Sequence, residues 1–234
     1  MFAILKRELS AYFNSIIGYI FIAVIYFFGG LFFWVTSVYS GNADLSGVFS
    51  NIMMIVEFII PILTMRIISE DFKLKTDQAL LTAPISTASI ALGKYFSAVV
   101  VYLIGISITL VYGAIVSFFT IPDWVVIIGS FTGILVMGMA LIAIGMFISS
   151  LTESQIVAAV ISYAVSIFII LMDGLLNFFK SSVLYMPLSY LSFSKHYKSF
   201  TLGIVNLADV TFFLTICAFF VFLTAHMIEK RKWN

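Results

Sequence analysis

The chain has 234 residues, of which 62% are hydrophobic and only 10% are charged, and its formal net charge is +1. A water-soluble domain carries roughly a quarter of charged residues, so this composition excludes an ordinary soluble protein. The near-neutral charge gives no general basic surface for nucleic acid. The single cysteine, Cys217, excludes an internal disulfide and a cysteine-based metal cluster. We therefore expect a polytopic membrane protein.

Residues 1–14 predict an amphipathic helix, because apolar residues recur there at helical spacing and charged residues lie elsewhere around the turn. The apolar positions are Phe2, Leu5, Leu9, Tyr12 and Phe13, and the polar ones are Lys6, Arg7, Glu8 and Ser10. Such a helix lies in the membrane interface and can bind a partner there. The alternative is a plain charged flank of the first span. No small-residue cleavage pattern follows, so a cleaved signal peptide is not expected.

A membrane-spanning helix needs about 20 mainly apolar residues. Six stretches qualify: Ile16–Val38, Phe49–Ile68, Tyr95–Ile121, Val125–Ile148, Ile156–Met172 and Val210–Ile228. None shows the alternation of a barrel strand. The prediction is an all-α polytopic membrane protein with six transmembrane helices in a single domain, residues 1–234.

Basic residues flanking the spans predict the orientation of the chain. With the N-terminus inside, nine basic residues fall in cytoplasmic segments and three in external ones. The cytoplasmic set is Lys6, Arg7, Arg66, Lys73, Lys75, Lys94, Lys230, Arg231 and Lys232, and the external set is Lys180, Lys195 and Lys198. Both termini are therefore expected in the cytoplasm.

Glu57 is the acidic residue well inside a predicted span. A charged group at the bilayer centre costs on the order of 2.5–3.5 kcal/mol, so Glu57 should face the bundle interior or a wet cavity. It is a candidate residue of a transport pathway or of a dimer seam. The alternative is a protonated glutamate that packs against a neighbouring hydroxyl. Pro61 follows it by four residues and is expected to kink the same helix.

The segment between the second and third spans, residues 69–94, contains the densest group of charges. Ser69 is expected to cap a short helix with Glu70 and Asp71 in its first turn, where acids are favoured. Pro84 is expected to end that helix. Ser86 is expected to restart the chain into the third span, and Lys94 to fix the cytoplasmic end of that span. A helix held there can transmit force to both spans, and the alternative is a solvated loop.

Two later patterns predict local packing. Thr152 and Gln155 fit a capping box that starts the fifth span. Gly129 and Gly133 have the GxxxG spacing of close helix contacts, either within the chain or across a dimer.

The external segment, residues 177–209, carries lysines and one of the two histidines. His196 with Asp173 is a weak candidate for a metal site. Anchoring of short helices at the level of the lipid headgroups explains these residues better.

Catalytic motifs are missing from the sequence. There is no G-x-S-x-G or H-E-x-x-H, and Gly93-Lys94 is not a P-loop, because Ala88 replaces the expected glycine and Tyr95 follows the lysine. We therefore expect no enzyme activity, no catalytic residue, no metal site and no cofactor in this chain. ATP and Mg²⁺, if used, must bind a separate polypeptide.

Three segments resemble ABC-2 type transporter permeases, in particular the branch with gliding-motility and nitrous-oxide-reductase accessory permeases. They are Glu70 followed by Ala79-Leu80-Leu81-Thr82-Ala83-Pro84-Ile85-Ser86 and Leu92-Gly93-Lys94, then Ser149–Ala159, and then Leu191–Gly203. In that family an acidic residue precedes "LLTxPxS" and "xGK". With the spacing of the spans, the resemblance covers nearly the whole chain.

The resemblance implies a half-transporter permease of an exporter, in a bacterial inner (plasma) membrane. The coupling helix between spans two and three would contact a cytosolic ABC ATPase through Glu70, Asp71, Lys73, Leu80 and Leu81. A second permease copy or a related chain would complete the pathway, residues 177–209 would form re-entrant helices, and lipids and an envelope accessory protein would be further partners. The alternatives are a membrane anchor that recruits a partner complex without transport, and a secondary transporter.

Overall fold

The computed structural model describes residues 1–41, 44–76, 86–176 and 190–232, with the side chains of 173–176 and 232 excepted. Within these ranges the chain is helical and has no strand. Six helices are long and apolar enough to cross a membrane. The all-α prediction and the number of long apolar helices are confirmed, and the protein is a multi-pass membrane protein by this criterion. Leu80, Leu81 and residues 177–189 of the predicted external segment lie outside the described residues.

Ten helices are described in these ranges. They are α1 (Phe2–Phe13), α2 (Ile16–Phe33, extended by a π-helical turn Trp34–Val38), α3 (Ser46–Thr64), α4 (Ser69–Leu74), α5 (Thr87–Ile106), α6 (Ile108–Ser117), α7 (Trp124–Ser149), α8 (Gln155–Leu176), α9 (Phe193–Thr201) and α10 (Leu207–Lys232). Helices α5 and α6 together form the third span.

The bundle has two central helices, α3 and α7, and several outer ones. In the most apolar stretch of each span, 67% of the residues are buried for the α3 segment and 61% for α7, but only 17% for α8. Large apolar side chains of the outer helices remain exposed, such as Phe27 on α2 and Phe168 on α8. Lipid can cover such faces favourably, since helices satisfy their own backbone hydrogen bonds.

Small residues on α7 allow its neighbours to approach closely. A Cβ atom on Gly138 would overlap the ring of Tyr102, whose Oη donates to the Ile134 carbonyl at 2.6 Å. Gly129 and Gly133 contact α9 in the same chain, so this GxxxG pattern serves packing within the chain.

The third span starts earlier than predicted, and this changes the position of Lys94. Ser86 restarts the chain as expected: its side chain accepts a hydrogen bond from Ser89 N and caps α5. The helix therefore begins at Thr87 rather than at Tyr95. Lys94 therefore lies well inside α5 and is buried, instead of marking the end of a span. The prediction was wrong because a lysine with buried partners can lie inside a helix bundle.

The two predicted caps also differ from the structure. Helix α8 begins at Gln155 directly after Ser154, whose Oγ accepts from Val157 N, so Thr152 is not the capping residue. Ser69 is the first residue of α4 and donates to the Met65 carbonyl rather than capping the helix. Helix α4 ends at Leu74, well before Pro84, because Lys75 adopts a left-handed conformation with φ of 57°.

Candidate functional site

The candidate site lies where α1, α4 and α5 meet, at the end of the bundle where α1 begins and α10 ends. Its centre is Lys94, whose side chain is only 3% exposed. Three oxygen atoms surround the Lys94 ammonium: Asp71 Oδ2 at 2.6 Å, the Ile67 carbonyl at 2.7 Å and Glu8 Oε1 at 3.1 Å. An ammonium group has three donors, so each has an acceptor within reach. One buried cation thus joins three separate elements.

Arg7 adds a second cation to this group. Its Nη2 lies 2.5 Å from Glu8 Oε1 and 3.7 Å from Asp71 Oδ2. We refer to Lys94, Glu8, Asp71 and Arg7 as the Lys94 cluster. Two acids face two bases in it, so the cluster is balanced in charge, and this balance offsets the cost of removing the charges from water.

Helix α1 faces the bundle with Ile4, Glu8 and Tyr12, which are spaced four residues apart along one side. Glu8 points inward although the pattern placed it on the polar face, while Phe2 is 82% exposed. Tyr12 Oη donates to the Leu63 carbonyl at 3.1 Å, and burial raises the pKa of the Tyr12 phenol, so it stays a neutral donor.

Glu70 and Arg66 form a neighbouring pair between α1 and α4. Arg66 Nε lies 2.7 Å from Glu70 Oε2, and Arg66 Nη1 donates to Ser15 Oγ at 2.8 Å. The Arg66 guanidinium also lies 5.6 Å from the centre of the Tyr12 ring. This pair and the Lys94 cluster border one open cavity of about 290 Å³.

The residues predicted for coupling divide into three groups. Asp71 and Glu70 form ion pairs within the chain, with Lys94 and Arg66 respectively. Asp71 also accepts a hydrogen bond from Thr76 Oγ1 at 2.6 Å, which holds the turn after α4. Lys73 is exposed, and its neighbour Leu74 is 62% exposed. Leu80 and Leu81, named above, lie outside the part of the chain that the structure describes.

The other side of α4 is held by α7. Ser149 Oγ accepts from Ile68 N at 3.1 Å and from Ser69 N at 3.0 Å, and it donates to the Met65 carbonyl at 3.1 Å. The first N–H groups of a helix have no partner within it. A side chain from another helix therefore supplies the partner that a local cap would otherwise give.

The last helix also contacts α4. The Arg231 guanidinium lies 3.9 Å from the centre of the buried Phe72 ring, and its Nη2 lies 2.5 Å from Glu153 Oε1. Glu153 belongs to the turn between α7 and α8. Helix α4 is thus in contact with α1, α5, α7 and α10, although it has only 6 residues.

Glu57, the predicted pathway residue, lies elsewhere in the fold. It is 94% buried in α3, with 6% of its surface exposed. Burial raises the pKa of the Tyr197 phenol in α9, and the nearby Glu57 carboxylate raises it further. Glu57 therefore faces the bundle interior toward α9, away from the Lys94 cluster.

Sequence reasoning missed four of these residues as site residues: Lys94, Glu8, Ser149 and Arg231. One signal was available for Lys94. The restart expected at Ser86 already implied that Lys94 lies inside the helix rather than at its end. No local pattern identifies Glu8 as its partner. Comparison with protein-family models and with curated proteins finds no significant match to this chain.

Proposed function

We propose that this chain is the membrane-spanning permease subunit of an ATP-binding cassette exporter, driven by a separate cytosolic ATPase. The observation that carries the proposal is the anchoring of α4. This short helix between two spans is fixed to α5 by the Lys94–Asp71 ion pair and to α1 directly by Arg7 and, through Lys94, by Glu8. Lys73 and Leu74 remain exposed.

A helix of this length is not stable by itself in water. Its position therefore depends on the contacts with α1, α5, α7 and α10. A partner that pulls on the exposed side of α4 pulls on these helices as well. In this proposal the motor binds the exposed side, and the Lys94 cluster transmits its movement to the start of the third span.

The transport cycle requires two states of the permease that the ATPase binds with different affinity. ATP and Mg²⁺ bind the ATPase, and Leu80 and Leu81 contact it together with Lys73. Two permease copies, or this chain with a related one, enclose the pathway. The resemblance of the segment from Glu70 to Lys94 to ABC-2 permeases supports this assignment.

The proposal is tested by purifying the chain from its native membrane in mild detergent and measuring copurifying ATPase activity. We expect Leu80→Asp with Leu81→Asp to remove that activity. Leu151→Asp is the matched control, because Leu151 is 52% exposed at the same end of the bundle but outside α4. It should leave the activity in place.

Two results would contradict the proposal. One is ATPase activity that survives the double substitution. The other is a purified complex in which no nucleotide-hydrolysing protein touches the segment from Ser69 to Ser86. A stable partner without nucleotide hydrolysis would instead support the alternative, a membrane anchor that recruits a complex.

A further inference from the structure

A second polar contact lies at the opposite end of the bundle, between α9 and the first turn of α10. His196 Nδ1 lies 2.6 Å from Asp209 Oδ1, and His196 Nε2 lies 3.1 Å from the Tyr190 carbonyl oxygen. The imidazole also stacks on Phe212, with ring centres 4.1 Å apart. The two side chains are 15% and 9% exposed. This contact has no part in the proposed coupling to an ATPase.

Both atoms that face the imidazole nitrogens are oxygen acceptors. A neutral histidine has one N–H group, so it can donate to the carboxylate or to the carbonyl but not to both. Two hydrogen bonds at the ring therefore need two protons. This holds whether the proton between His196 and Asp209 is on the ring nitrogen or on the carboxylate. Both contacts can be hydrogen bonds only if the pair holds one proton more than a neutral histidine beside an ionised aspartate.

We propose that protonation of the His196–Asp209 pair fastens α9 to α10, so that this end of the molecule responds to pH. At acid pH both hydrogen bonds form. As the pH rises, the pair loses its additional proton. One ring nitrogen then becomes an acceptor that faces an acceptor oxygen, and the hydrogen bond there is lost. The stabilisation is thus present on the acid side and is lost on the alkaline side.

The charges around the imidazole support the proposal that His196 and Asp209 act as a pair. Among the described side chains, Asp209 of α10 is the charged group in contact with the ring. Asp209 Oδ2 is buried without a hydrogen-bond partner in the described part of the chain, and His196 is the base that faces this carboxylate. On α9 itself, Lys195 Nζ lies 5.5 Å from the centre of the Tyr190 ring, and Lys198 lies in the last turn.

Among the side chains that the structure describes, the charged groups on the other elements packed against α9 have their contacts away from the ring. Glu57 of α3 lies near Tyr197, and Asp123 at the start of α7 accepts from Val125 N and Val126 N. Asp173 of α8, considered above as a metal partner, is outside the described side chains. No group of three possible metal ligands occurs among the described residues.

Release of the pair would affect the packing of α9 on the central helix. Phe200 near the end of α9 and Gly203 just after it fit against Gly133 and Gly129 of α7, where no Cβ atom could be accommodated. Such a fit tolerates little displacement. A shift of α9 away from α10 therefore loosens its contact with α7 too.

Hydrogen exchange of the α9 amides, measured on the intact chain in lipid nanodiscs from about pH 5 to 8 and corrected for intrinsic rates, tests the proposal. We expect protection of α9 to fall by about tenfold or more toward alkaline pH, the effect of losing one charge-assisted hydrogen bond. His196→Gln should show low protection at every pH. The matched control is His226→Gln, because His226 is exposed on α10 and should leave the wild-type pH dependence unchanged.

A second measurement needs no substitution at the pair. Nitrogen chemical shifts of the wild-type histidines should show both ring nitrogens of His196 sharing protons at acid pH. The proposal is overturned by an α9 protection that does not depend on pH, by an unchanged dependence in His196→Gln, or by a neutral histidine with one bare ring nitrogen at the acid end.

Discussion

Lys94 Nζ lies 2.6 Å from Asp71 Oδ2, and this contact joins the third span to the short helix that precedes it. The two residues belong to α5 and α4, so the ion pair bridges the segment from Thr76 to Ser86. A buried pair adds little net stability compared with apolar residues, but removing one partner leaves the other uncompensated. The pair therefore fixes the position of α4 more than it stabilises the fold.

Replacing Lys94 with Met should destabilise the protein strongly, because Glu8 and Asp71 would then remain as buried acids without their main cation. We expect a loss of about 3–5 kcal/mol. The midpoint of thermal unfolding in detergent, compared with wild type, gives the measurement. Lys6→Met is the matched control, since Lys6 is exposed on α1 and should leave the midpoint nearly unchanged.

The same cluster predicts a compensation between two substitutions. Adding Asp71→Asn to Lys94→Met removes one of the uncompensated acids. The double variant should therefore lose less unfolding free energy than the two single variants lose when their losses are added. Strictly additive losses would show that the two residues do not interact.

Ser149→Ala should cost about 1–3 kcal/mol, because the buried N–H groups of Ile68 and Ser69 both lose their acceptor. The adjacent Ser150→Ala is the control. Ser150 is also buried, but its Oγ donates only to the Phe147 carbonyl of its own helix. Unfolding by denaturant should separate the two variants, and equal losses would argue against the role of Ser149 as a cap of α4.

Gly138→Ala should destabilise the contact between α7 and α5 by about 1–3 kcal/mol, since its methyl group would overlap the fully buried Tyr102 ring. Gly30→Ala is the matched change. The nearest atom to a Cβ there is Tyr112 Oη at 3.7 Å, which is ordinary contact. Alanine favours a helix over glycine by about 1 kcal/mol, so Gly30→Ala should be neutral or stabilising in a thermal unfolding assay.

The orientation inferred from the basic residues is tested by labelling introduced cysteines with a membrane-impermeant maleimide. Lys73→Cys should react only from the cytoplasmic side, and Leu202→Cys, which is 64% exposed at the opposite end, only from the outside. The buried native Cys217 gives the background. Labelling of Lys73→Cys from the outside would exclude contact of α4 with a cytosolic motor.

The chemistry of the spans made them predictable from the sequence. A segment such as Ile16–Val38 is long and apolar enough to cross a bilayer, and a bilayer admits a single chain segment only as a helix, because every backbone group must be bonded internally. The predicted limits of this span agree with the observed ones. The charged character of α4 was equally visible, since Glu70, Asp71 and Lys73 are adjacent in sequence.

The direction in which charged side chains point was decided by the tertiary structure alone. Glu8 and Lys94 are 86 positions apart, and each resembles an ordinary flanking charge until the other is placed beside it. The partner of His196 was likewise Asp209 in another helix. Hydropathy measures the preference of each segment for lipid or water, whereas the pairing of buried charges depends on which helices are neighbours, and that is a property of the packed bundle.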